Sequence, residues 1–337
     1  MIRRLFQRPS AFEPVEARAL NAHELDPAWF PEENGCVYLR FDLVEHYLRG
    51  SVPEQDRSDF RALAIADWTI RLADCFPDYS VVRSQHFVTL APTGHETGVA
   101  KNAERIGKQV RSSLSKVAGS PRDYPLAVLA FGEADHYYSY ISAFYDSSLE
   151  TYAMSGGLFI EDPQNAQIVF HGAFGLETAQ HDVSSRVLAH ELCHAELFHL
   201  QLPMWLEEGI TQDVEDSILN PAYEEPLTVR ARPQRNREVW SPQNIQKLWT
   251  GLAFFEPELN EFAYYFSRAL VSLIRSELCR SPADFASFLV EAGRGDAGEK
   301  AFIDTFGDSL GVLVEEILGG DSNAWRPQPD SWIFDSQ

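Results

Sequence analysis

Cysteine is scarce in this sequence, and its four cysteines, Cys36, Cys75, Cys193 and Cys279, lie far apart with no CxxC pair. That spacing excludes a cysteine-built zinc module and gives no sign of a disulfide framework. Positive charge is scarce too: 28 lysines and arginines stand against 50 aspartates and glutamates, a formal net charge of −22 at pH 7. Nucleic-acid binders present basic surface to phosphates, so that class is excluded, and the same imbalance argues against docking on anionic lipid. Long apolar runs are missing. The longest, Pro125–Phe131, falls far short of the roughly 20 residues that span a bilayer. The opening MIRRLFQRPSAF carries early arginines without the apolar stretch of roughly 7–15 residues that a secretory signal needs behind them. No repeat of fixed period and no low-complexity tract interrupts the chain. These absences lead to the expectation of a cytoplasmic, soluble protein with no nucleic-acid and no membrane partner.

What is present is a core. Hydrophobic residues make up 45% of the 337 and aromatics 12%, which excludes disorder as the general state. The length suggests about two domains, or one large one with an appendage. Phe41–Leu48 and Asp59–Cys75 read as helices, HFVTL at 86–90 as a short strand, and Glu96–Val117 as a helix of mixed charge. PLAVLAF at 125–131 is a continuous apolar strand of the fully buried kind, followed by an aromatic-rich helix through about Tyr145. GGLFI at 156–160 and QIVF at 167–170 read as a hairpin, its turn supplied by Asp162-Pro163 and Asn165. From Val183 the pattern turns helical: one helix to Leu200, a second from Pro203 to about Leu219, a proline-punctuated connection over 220–258, a long helix over Leu259–Leu278, and two or three more within 282–318. Strands followed by a run of helices give an α+β fold. Its parts are a small mixed β-sheet lobe at 84–200, a mainly helical C-terminal lobe at 201–320, an N-terminal region at 1–83 of unreadable role and a tail at 321–337.

Residues 190–194 read HELCH, an HExxH motif. On a helix His190 and His194 are four apart and share a face, so both imidazoles can meet one metal ion. Glu191 stands about 100° further round, where it can act on a water beside the metal without ligating the ion. The flanks Val187, Leu188, Leu192 and Leu197 are apolar, so the histidines project from a semi-buried element where unpartnered polar groups are costly. LPMWLEEGITQDVE at 202–215 then offers Glu207 and Glu208 on the next helix.

HExxH followed by W-L-x-E-G resembles the gluzincin zinc metallopeptidases of the peptidase MA-like group, which includes the thermolysin and aminopeptidase N families. The resemblance implies Zn²⁺ as cofactor, with His190, His194 and Glu208 as ligands and Glu191 as general base. The spacer of 13 residues between His194 and Glu208 is shorter than in the aminopeptidases. His199 lacks the glycine and the spacing of the metzincin third ligand and reads as a surface or supporting histidine. AYYFSRALVSLI at 263–274 is similar to the family's helix bearing an oxyanion-stabilising tyrosine, which is Tyr264 in one alignment and Tyr265 in the other, with plain core aromatics as the alternative. AFIDTFGDSLGVLVEEI at 301–317 looks like the closing helices of such domains. The family's substrate-pairing edge strand falls on SGGLFIED at 155–162, with Glu161 as a weak counterpart of the glutamate that grips a free N-terminus.

Other residues carry two readings each. Glu215, seven after Glu208, shares its helix face and either orients a histidine or is a solvated helix glutamate. Cys193 fills a packing position of the motif. Arg230, Arg232, Arg235 and Arg237 either hold a substrate carboxylate or pair with Glu224, Glu225 and Glu238. Around the motif crowd Glu191, Glu196, Glu207, Glu208, Asp213, Glu215 and Asp216. The expected function is zinc-dependent hydrolysis of peptide bonds in a peptide or protein substrate. The alternative is a catalytically silent peptidase-like domain that binds peptides or a partner protein.

Overall fold

The computed structural model describes residues 13–14, 25–33, 35–117, 124–144, 157–162, 165–171, 180–219 and 232–332. The chain is a mixture of helix and sheet and forms two compact units: residues 1–109 with 120–195, and residues 110–119 with 196–337.

The first unit is built on a six-stranded mixed sheet of order β1-β4-β5-β6-β8-β7. Its strands are β1 (Glu13–Pro14), β4 (Tyr79–Arg83), β5 (Phe87–Pro92), β6 (Leu126–Phe131), β7 (Gly157–Asp162) and β8 (Asn165–His171). The pair β2 (Glu32–Glu33) and β3 (Cys36–Val37) forms a separate two-stranded ladder. β5, β6 and β8 are parallel, while β4 and β7 run antiparallel to their neighbours. A parallel pair needs a crossover, and α3 (Glu96–Ser113) supplies it between β5 and β6. All six residues of β6 are buried, as an apolar strand covered on both faces must be.

The period of two sorts the sheet's side chains. Val88, Leu90, Ala127, Leu129, Phe131 and Val169 join one core with Phe41, Val44 and Leu48 of α1 (Phe41–Ser51), Trp68 and Leu72 of α2 (Glu54–Cys75), and Tyr137 and Tyr140 of α4 (Ala134–Phe144). The opposite face takes α3 and α5 (Gln180–Leu197). There Gly107 of α3 lies close to Phe87 and Leu192, and Asn102 Nδ2 donates to Ser185 Oγ at 3.0 Å. Gly157 explains itself here: a Cβ on it would stand 2.3 Å from Val187 Cγ1 of α5 and 3.0 Å from Phe170 Cβ. This glycine lets helix and edge strand pack.

The described part of the second unit is helical. Its elements are α6 (Met204–Ile218), α7 (Arg232–Val239), α8 (Asn244–Thr250), α9 (Asn260–Leu273), α10 (Pro282–Glu291), α11 (Glu299–Phe306), α12 (Leu310–Leu318) and α13 (Ser322–Trp325). Trp205 and Trp249 meet edge-on at 5.4 Å, and their indole N–H groups donate to the carbonyls of Ala297 and Trp325, both at 2.9 Å. The connection expected over 220–258 is more ordered than its prolines suggest. Residues 220–231 lie outside the described residues, but α7 and α8 follow. α8 is only two turns long, too short to show a period, and it is held by buried Ile245, Leu248 and Trp249. No described helix is long and apolar enough to cross a membrane.

α6 and α9 approach each other at Gly209, where a Cβ would lie 2.5 Å from Ser267 O and 2.7 Å from Val271 Cγ2. Gly98 in α3 has nothing within 4 Å of its Cβ position. Gly209→Ala should therefore lower stability by about 1–3 kcal/mol through overpacking, whereas Gly98→Ala should raise it by up to about 1 kcal/mol. Urea denaturation of the two variants beside wild type checks the opposite signs.

Candidate metal centre

α5 is a helix with little exposed surface: Leu188, Ala189, Leu192, Cys193 and Leu197 are all buried. His190 and His194 fall on one stripe of it and remain partly exposed. Their rings meet edge-on with centroids 4.8 Å apart, and the two Nε2 atoms converge to 3.2 Å. Two nitrogens bound to one tetrahedral zinc at about 2.0–2.1 Å would stand about 3.3–3.4 Å apart, so the imidazoles already have the spacing of a shared ion.

The chain then reverses within a few residues. Phe198–Leu200 form a single 3-10 turn, and Gln201 takes the left-handed conformation at φ 51°, its N–H donating to Phe198 O. Pro203 precedes α6, whose start is anchored by fully buried Trp205 and by Arg294, which donates to Leu202 O at 2.9 Å. One turn after Trp205 stands Glu208, partly buried. Ligand atoms of His190, His194 and Glu208 all lie within 4.8 Å of one another, the one group of three or more potential metal ligands among the described residues. Two imidazoles and a carboxylate suit a zinc ion and leave a coordination position for another ligand. The short spacer is thus compatible with convergence, because a one-turn reversal is all the chain uses.

The other candidates take separate places. Glu191 is buried, 6% exposed. Glu207 lies 4.0 Å from Arg294 and outside the group. His199 is exposed, and Cys193 is fully buried. Tyr264 and Tyr265 are both partly buried on α9, and the Tyr264 ring packs perpendicular to Phe254 at 5.0 Å. Arg237 donates to Ile317 O at 3.4 Å. Arg230, Glu224 and Glu225 lie outside the described residues, as do the side chains of Arg232, Arg235 and Glu161.

Sequence reasoning missed the arginines. Of the acids crowding the motif, Glu196 pairs with Arg111 and Asp216 with Arg268, each at 2.6 Å, Asp213 pairs with Arg275, and Glu207 faces Arg294. These partners are tens of residues away in sequence, and no local pattern announces them. Among those acids, Glu208 is the carboxylate grouped with the two histidines. Compared with known protein families and with curated proteins, the sequence matches none.

Metal analysis of the purified chain should find one zinc per molecule. His190→Ala and Glu208→Gln should each lose it, while His199→Ala keeps it; zinc retained at wild-type level in His190→Ala would remove the ligand assignment.

Proposed function

We propose that the protein is a zinc-dependent metallopeptidase of gluzincin type. The observation that carries this reading is the convergence of His190, His194 and Glu208 from HExxH and W-L-x-E-G runs that resemble that family. A zinc ion bound there would polarise a scissile carbonyl and lower the pKa of a water. Glu191, adjacent to the first ligand and buried, accepts the proton of the attacking water and delivers it to the departing amine.

Of the two tyrosines, helical geometry supports Tyr264. It stands three residues before Ser267, whose carbonyl faces Gly209 of α6, and residues three apart share a helix face. Tyr265 is about 200° from Ser267 around the helix axis. The Tyr264 hydroxyl donates to the oxygen of the tetrahedral species as charge develops. β7 is an edge strand among the described residues, a position that supports pairing with an extended peptide backbone.

Glu191→Gln should keep stoichiometric zinc and lower kcat on a peptide library by about a hundredfold or more. Tyr264→Phe should lower kcat by about tenfold to a thousandfold with little change in KM. A zinc-loaded wild-type chain that cleaves nothing at high concentration would turn the reading into that of a silent peptide-binding domain.

A further inference from the structure

The second unit contains a cavity of about 420 Å³ that the metal group does not use. Ile210 and Val214 of α6 help to line it. Ile210 is about 200° from Glu208 around the helix, so the cavity opens on the opposite face of α6 from the ligand. Its floor is apolar: Leu114, Ile210 and Val214 are at most 4% exposed, and Phe285 of α10 adds an aromatic wall.

Its rim is cationic. Lys116, Arg275 and Arg280 line the cavity, and no carboxylate does among the described residues. Arg275 is committed, since it pairs with Asp213 and lies over the Phe285 ring at 5.7 Å. Lys116 and Arg280 take part in no ion pair among the described residues. In a chain with 50 acidic and 28 basic side chains, two cations without an ion pair above one apolar hollow concentrate uncompensated positive charge at one place. The α10 N-terminus borders the same space through Ser281 and Pro282, and its end is already capped by the Asp284 carboxylate.

We propose that this cavity binds a carboxylate carried on an apolar tail, the carboxylate between Lys116 and Arg280 and the tail against Leu114, Ile210, Val214 and Phe285. A bare phosphate would use the rim and leave the floor wet. A neutral apolar molecule would use the floor and leave both cations without a counter-charge. An amphipathic acid satisfies both, and the volume lies within the range of small-ligand sites, about 300–1,000 Å³. The same chemistry occurs in a fatty acid and in the C-terminal residue of a peptide. The site is independent of the metal centre, so it stands whether or not the peptidase reading holds.

Calorimetric titration of the full chain with decanoate and with N-acetylphenylalanine distinguishes the two sources, with decanol and N-acetylphenylalanine amide as the neutral counterparts. At least one acid should bind, about tenfold or more tighter than its neutral counterpart. Combined Lys116→Gln and Arg280→Gln should weaken that acid by about tenfold or more, while Lys108→Gln, an exposed lysine away from the cavity, leaves it unchanged. Cys279 also lines the cavity; burial and the nearby Asp284 push its thiol up, against the influence of Arg275. Saturating acid should slow its alkylation by N-ethylmaleimide relative to Cys75. Failure of both acids to bind at millimolar concentration, equal binding of acid and neutral counterpart, affinity that survives both neutralisations, or unaltered Cys279 alkylation would each overturn the proposal.

Discussion

Residues 188–195 of helix α5 carry two imidazoles and a carboxylate among small or apolar side chains that are buried. Polar groups in such surroundings are unfavourable unless each meets a partner. The constraint is met for the histidines by placing them one turn apart with their Nε2 atoms converging, and by Glu208 on the following helix. Much of the surrounding structure serves that placement. The sheet face with Phe87 and Phe170 receives α5 closely because Gly107 and Gly157 lack side chains.

The position of Glu208 is set with similar economy. Gln201 in its left-handed conformation and Pro203 turn the chain, and Trp205 locks the start of α6 through its indole hydrogen bond to Ala297. Gly209 then admits the carbonyl of Ser267. The W-L-E-E-G run is therefore legible in packing terms: tryptophan as anchor, glycine as the point of close approach, and a glutamate held between them. Glu208 therefore stands on a helix whose backbone is held by packing at Trp205 and at Gly209.

The charge of the chain changes meaning when the ion pairs are known. Seven acids crowd the motif in sequence, which reads as a strongly negative site. Four of them face arginines from α3, α9, the π-helical segment Ile274–Leu278 that follows α9, and the turn before α11. Such pairs are partly exposed and each contributes little to stability. Their consequence is local: they offset much of the negative charge that the sequence crowds around the motif. The same sorting leaves Lys116 and Arg280 unspent above the apolar cavity behind α6.

Much of the local structure was legible in the amino-acid sequence, because periodicity and turn chemistry are local. Phe41, Leu126 and the hairpin around Asp162 and Asn165 mark elements close to where the structure has them. HExxH spacing likewise determined that His190 and His194 share a helix face, a property of 3.6 residues per turn that needs no tertiary information. Tertiary structure decided the rest. β4 lacks a distinctive pattern and exists because β5 pairs with it; α8 is too short to show a period and is defined by burying Ile245, Leu248 and Trp249. Glu208, not Glu207, joins the histidines, and distant arginines claim the neighbouring acids. Those outcomes depend on which side chains meet across long sequence separations, and packing and charge pairing settle them only once the helices are in contact.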